Sequence, residues 1–182
     1  GTAICLNNIK EYLFDNLDIL LFWGDLALMP QSNIYLSSQI HEFYESDLTF
    51  PSRYKYKPYV AFIRDKNGKV SKIVHSNEIN KYDGWAEQDC LFFIIKFDLM
   101  KLIPKFIKDH QNNIKNTNTE IDFIHFILYA TKKDKIVLPL PISNDSEVAG
   151  VNDQESARKI QDRLNLMSKE EYSDIFLNFL WS

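Results

Sequence analysis

Between residues 53 and 57 the chain alternates cation and aromatic ring: Arg53, Tyr54, Lys55, Tyr56, Lys57. In an extended strand successive side chains point to opposite faces. This spacing therefore sets the cations on one face and the tyrosines on the other. Cations hold phosphates and aromatic rings stack on bases, so the pattern is a candidate nucleic-acid surface. Arg64, Lys66, Lys69 and Lys72 carry the charge onward, with only Asp65 against them in that stretch. Tyr82 and Trp85, in the loop Lys81-Tyr82-Asp83-Gly84-Trp85, offer further stacking surface or one wall of a pocket for an extruded base. A plainer reading stays open, in which Tyr54 and Tyr56 face the core and the cations solubilise a hairpin edge.

Other chemistries find less support. The five glycines, Gly1, Gly24, Gly68, Gly84 and Gly150, lie too far apart for a phosphate-cradling loop or a nucleophile elbow. His41, His75, His110 and His125 form no H-x-x-x-H pair, and His41-Glu42 leads to Glu45 where a second histidine would be needed. No metal site is expected. A restriction-type nuclease needs an acidic residue two positions before a lysine, so that carboxylate-bound Mg²⁺ and the lysine act on one water. No lysine here has one. Cys5 and Cys90 stand 85 positions apart, without C-x-x-C, and read as small hydrophobes of a reduced protein. Asp83 and Glu87 can do acid–base work or belong to a solvated loop. Triad members meet only in space, so a site built on Cys90, His75 or His125 stays open. No catalytic residue and no cofactor is assigned.

The elements that position these residues can be read from periodicity. Asn7 or Asn8 can cap a helix bearing Ile9, Leu13, Leu17 and Leu20. Pro30 to Asn33 reads as a turn, and Ile34 to Tyr44 fits helix or strand. Tyr59–Ile63 and Val70–His75, joined through Asp65-Lys66-Asn67-Gly68, read as a β-hairpin. Cys90 to Phe97 is apolar apart from Lys96, the mark of a strand covered on both faces. Asp98 can cap a short helix that Pro104 kinks or delays. Ile121 to Ala130 is aromatic and β-branched, turns at Thr131 to Asp134, and returns over Lys135 to Leu138, which Pro139 and Pro141 mark as an edge. Segments 111–120 and 143–152 read as polar loops. Asp153 and the capping box Ser168 to Glu171 open two C-terminal helices, the second with Tyr172, Ile175, Phe176, Phe179 and Leu180 on its apolar face. The fold class is α+β, a mostly antiparallel sheet or small open barrel with a helix at the N-terminus and two at the C-terminus.

The chain has 182 residues, 45% of them apolar and 14% aromatic, enough for one well-formed core over residues 1–182. The start at Gly1 suggests a module excised from a larger protein. No signal peptide and no apolar run long enough for a membrane span is visible, so a cytoplasmic protein without membrane contact is expected. The net charge of −4 conceals an uneven spread. Residues 1–50 carry one base against seven acids, residues 51–116 thirteen against seven, and residues 117–182 seven against eleven. A basic middle between acidic ends points to an anionic partner, unless the ends fold over it.

Lys57-Pro58-Tyr59-Val60-Ala61-Phe62, then Ile73-Val74-His75, Glu78-Ile79 and Phe92-Phe93-Ile94-Ile95-Lys96, resemble the strand pattern of PUA-like small barrel domains of the ASCH and EVE types. The resemblance spans about residues 53–107. It implies binding of RNA or of modified bases in DNA, sometimes beside a nuclease or motor domain. The sequence thus predicts a non-catalytic module that binds DNA or RNA and reads a modified or flipped base, as the recognition part of a restriction or defence system. The alternative is a toxin-neutralising immunity protein or antitoxin, whose acidic first fifty residues would cover a basic partner such as a toxin.

Overall fold

The computed structural model describes residues 1–76, 82–113, 121–143 and 149–175. In chain order, helix α1 (Thr2–Ile9) and a 3-10 turn lead to strands β1 (Ile19–Phe22) and β2 (Leu26–Leu28) and helix α2 (Gln31–Phe43). Five strands follow: β3 (Leu48–Tyr56), β4 (Val60–Arg64), β5 (Val70–His75), β6 (Trp85–Asp89) and β7 (Phe92–Ile95). Then come α3 (Phe97–Met100), α4 (Ile103–Asn113), α5 (Phe123–Thr131), β8 (Val137–Leu140), β9 (Ala149–Gly150), α6 (Gln154–Leu166) and α7 (Lys169–Ser173). The fold is α+β, as expected, with the N-terminal helix and the two C-terminal helices in place.

One open sheet runs β1-β7-β3-β6-β4-β5, antiparallel throughout, with β8 joining β3 in parallel. It does not close into a barrel. A second small ladder pairs β2 with β9. Strand β3 is the hinge of the design. Its first half pairs with β7 and β8, and its second half, Ser52 to Tyr56, pairs with β6.

Both faces of the sheet are covered at β7. Phe93 and Ile95 of β7 join Leu48, Phe50 and Phe62 in the main core, under α1, α4 and α5. Phe92 and Ile94 point the other way, toward Leu26, Met29 and Ile34. All four β7 side chains are buried, which explains the unbroken hydrophobicity of that run. The β4–β5 hairpin forms as its turn chemistry predicts. Asp65 Oδ1 accepts from the amides of Asn67 (2.8 Å) and Lys69 (3.0 Å), and Gly68 takes a φ of +80°. Asp153 and Ser168 cap α6 and α7 through capping boxes.

Local expectations need correction, the turn read at Pro30 to Asn33 among them, because α2 begins at Gln31. The helix read from Asn7 or Asn8 to Leu20 instead ends near Ile9, and Ile19–Phe22 become a strand because β7 offers them a ladder, Ile19 opposite Ile95 and Phe22 opposite Phe92. The β-branched run at 121–130 is helix α5, capped by Asp122. Phe123, Ile124, Phe126, Ile127 and Ala130 sit at helical spacing and are all buried, so packing decides over propensity. Asp98 lies inside the first turn of α3, whose cap is Lys96, while Pro104 falls in the first turn of α4, where its missing N–H costs nothing. Glu78-Ile79 and Phe176, Phe179 and Leu180 lie outside the described residues. Among the described residues no helix is long and apolar enough to cross a membrane.

Candidate functional site

Where β3, β5 and β6 meet the head of α5 and the β2–β9 ladder, the surface opens into a cleft of about 770 Å³. Its lining is unusually charged. Arg53 and Lys55 come from β3, Asp89 from the end of β6, Asp25 from the turn after β1, and Asp122 from the cap of α5. Tyr59, His75, Gln88, Trp23 and Asn152 also line the cleft. Tyr59 and His75 pack edge to face with ring centroids 4.5 Å apart, and Gln88 Oε1 accepts the Tyr59 amide at 2.8 Å.

Two of the charged groups are almost wholly enclosed: Arg53 is 7% exposed and Asp89 3%. Burial pushes the Asp89 carboxyl up to about 6, although the Leu91 amide and the Arg53 charge both favour its ionised form. The Leu91 N–H donates to Asp89 Oδ2 at 3.1 Å, and Leu91 itself holds a φ of +63°. Left-handed backbone at a leucine is uncommon, and the carboxyl helps to hold the turn that aims Asp89 at the cleft.

The remaining carboxylates are placed by backbone. Asp122 Oδ1 accepts from Thr2 Oγ1 at 2.6 Å and from the Ile124 amide at 3.3 Å, which joins the first residues of the chain to the head of α5. The Asp25 carbonyl accepts from Val151 N–H at 2.8 Å and so ties the turn after β1 to the segment after β9. Among the described residues no group of three or more His, Cys, Asp or Glu is arranged to hold a metal ion.

The residues singled out from sequence divide into three sets. Arg53 and Lys55 line the cleft, while Tyr54 and Tyr56 point to the opposite face and are more than half exposed. The strand alternation holds, but the tyrosines are not core. Lys57 leaves the pattern at a φ of +50°, pairs with Asp83 at 3.0 Å and lies over the Tyr56 ring, which neighbours Trp85 at 5.9 Å. Tyr82 packs on the small cluster of Ala61, Val74 and Ala86. Arg64 is spent on Glu87, donating Nε at 2.7 Å and Nη2 at 2.6 Å, and on the Pro139 carbonyl at 2.7 Å. Lys66, Lys69 and Lys72 stand exposed along the hairpin, outside the cleft. The seven cations therefore do not form one wall.

Of the residues considered for an unrecognised enzyme site, His75 alone reaches the cleft. Cys90 is fully buried, and His125 shares a separate hollow with His110, their rings 5.8 Å apart. A Ser46–His41–Asp18 series also exists, with Ser46 Oγ 3.0 Å from His41 Nδ1 and Asp18 3.5 Å from Nε2. Ser46 is fully buried and also bonds Thr49, so the series is a structural tie between α2 and β3. Sequence reading missed Asp25, Asp89, Asp122 and Gln88. No local motif marks them, because they meet only through the sheet order.

No protein-family model and no curated protein matches the chain. Solved structures do. A candidate glucose-1-phosphate thymidylyltransferase from Bacillus anthracis, crystallised with sucrose, aligns with a TM-score of 0.63 and 10% identity over 95% of this chain and 65% of that one. HddC from Yersinia pseudotuberculosis aligns with a TM-score of 0.55 and 14% identity over 90% of this chain and 62% of that one. HddC complexed with GMP-PN gives 0.53 and 13% over the same shares. The chain thus spans less than two thirds of the length of the structures it resembles. The likeness is one of fold, to a candidate nucleotidyltransferase and to a protein crystallised with GMP-PN. It overturns the prediction of a non-catalytic DNA- or RNA-binding part of a restriction or defence system, and the immunity-protein or antitoxin alternative with it. The basic stretch misled because its charge was counted along the sequence, whereas the fold buries Arg53, pairs Arg64 and leaves three lysines apart on a hairpin.

Proposed function

We propose that this chain carries the ligand cleft of a nucleotidyltransferase that acts on a phosphorylated sugar. In such a reaction a sugar-phosphate oxygen attacks the α-phosphorus of a nucleoside triphosphate, a new P–O bond forms, and the bond to the β-phosphate breaks to release pyrophosphate. Catalysis of phosphoryl-type transfer is mostly positioning and charge stabilisation, which asks a protein for fixed cations and few reactive groups. The carrying observation is the cleft itself. A nine-tenths buried arginine and a neighbouring lysine on one strand face carboxylates that can take hydroxyl donors, within a fold like that of a candidate thymidylyltransferase.

Arg53 and Lys55 lie two residues apart on the same face of β3, so both reach one anionic group. Nucleoside triphosphates are used as magnesium complexes, and Mg²⁺ usually takes one or two protein carboxylates beside phosphate oxygens. Asp25 and Asn152, oxygen donors of the same cleft, fit that demand, because Asp122 is engaged by Thr2 and by α5 and Asp89 by Leu91. Trp23, Tyr59 and His75 add flat surface for a base or a sugar ring. A cytoplasmic setting follows from the same reading, since the triphosphate substrates are found there.

The test is calorimetric titration with dTTP, GTP and sugar 1-phosphates in the presence of Mg²⁺, on the wild type and on Arg53→Met. Binding that weakens at least tenfold in the variant supports the reading. If the wild type binds none of these ligands, the reading fails.

A further inference from the structure

We infer that Asp89 is the side chain that reads the hydroxyl groups of the phosphorylated sugar, while Arg53 and Lys55 take its phosphate. This rests on the reading above and adds which residue sets the choice of ligand.

The geometry separates the two tasks. Ser52 and Asp89 are opposite one another across the β3–β6 ladder, and Arg53 is opposite Gln88. Arg53 and Lys55 thus line the cleft from one face of β3, and Asp89, which shares the other face with Ser52, reaches its lining from the end of β6. A ligand that bears a phosphate at one end and hydroxyls beside it matches that arrangement of charge. An anion without donors gains from Arg53 and Lys55 but meets Asp89, with Asp122 and Asp25 behind it, as repulsion.

The turn does not need this charge. The turn asks of Asp89 an acceptor for backbone amides, that of Leu91 at 3.1 Å among them, and a neutral asparagine oxygen would serve. A carboxylate held at 3% exposure is costly unless its bonds are completed. Sugar hydroxyls complete them with short, charge-assisted bonds, roughly twice as strong as neutral ones. A site built in this way rejects ligands that lack the donors, because the buried acceptor is then left unpaired.

The experiment measures binding of glucose, mannose and galactose 1-phosphates and of inorganic phosphate to the wild type and to D89N by calorimetry. The inference expects D89N to bind its best sugar 1-phosphate at least tenfold more weakly than the wild type, with affinity for inorganic phosphate unchanged or higher. A variant that binds the sugar phosphate as the wild type does, or that loses both ligands equally, overturns it. If the wild type binds nucleotide but no sugar phosphate, this inference falls and the nucleotide reading stands. If it binds neither, both fall. Asp89→Ser, which keeps an acceptor near the Leu91 amide, supplies the same comparison should D89N misfold.

Discussion

Gly150 and Asp25 meet so closely across the β2–β9 ladder that a Cβ on the glycine would stand 3.0 Å from Asp25 Oδ2 and 3.1 Å from Leu91 Cδ1. The three residues come from distant parts of the chain, and all line the cleft. The missing side chain is what lets β9 close over the Asp25 carboxylate.

Gly150→Ala should therefore act on the site before it acts on the fold. The methyl group must push the Asp25 carboxylate or the Leu91 side chain aside, and overpacking of this kind costs about 1–3 kcal/mol. Nucleotide affinity in the presence of Mg²⁺ should fall by more than the drop in thermal stability would suggest. Titration and thermal melts on the same sample check this, and unchanged affinity would show that the neighbours yield freely.

Asp89 should make the protein less stable as pH rises through weak acid. Its carboxyl sits at about 6 in the fold against 3.8 for an aspartate in open water. Between those values the folded chain holds a proton that the unfolded chain has released, so stability falls as pH rises across that window and stays lower above it. A shift of this size corresponds to about 3 kcal/mol. Asp89→Asn should remove the pH dependence and raise stability at pH 7, as read by urea unfolding at pH 4 and pH 7. Equal gains at the two pH values would assign the effect to something other than the charge.

Arg64→Ala should be among the more damaging changes outside the cleft. It strips the partner from Glu87, which is 2% exposed and also bonded by Ser52. Leaving a buried charge alone typically costs about 3–5 kcal/mol, whereas replacing both partners by neutral residues costs far less. The pair R64M/E87Q should thus be more stable than R64A alone, and a double-mutant cycle with urea unfolding decides it.

Lys66, Lys69 and Lys72 should tolerate reversal to glutamate. They are exposed and lie outside the cleft, so stability should move by no more than about 0.5 kcal/mol per site. Affinity for nucleotide and sugar phosphate should stay within twofold by titration. A tenfold loss would show that the hairpin reaches the ligand after all.

The hairpin, the doubly covered strand, the Asp153 cap and the Ser168–Glu171 capping box were legible because each is specified by neighbours in the chain. Asn67-Gly68 supplies a turn, Phe92 to Ile95 announces burial on two faces, and Ser168 and Glu171 satisfy each other. Ile19–Phe22 and Phe123–Thr131 were not, because the same apolar letters suit strand or helix and only the partner decides. For the site, sequence singled out Arg53 and Lys55, and both line the cleft. The acids around them, Asp25, Asp89 and Asp122, come from three separate segments, and a carboxylate at the end of β6 has no mark of its own until β3 is laid beside it.

Strand β3 sends Phe50 into the core and, three positions later, Arg53 into the cleft. Its first half is clamped by Val137 to Leu140, which arrive from far down the chain. The strand that lines the cleft is consequently held by a pairing between segments far apart in the chain, so the cleft floor is complete only when both are in place. A captured ligand would then act as a brake on unfolding, holding shut the seam between the two segments and lengthening the life of the native state more than it hastens its formation.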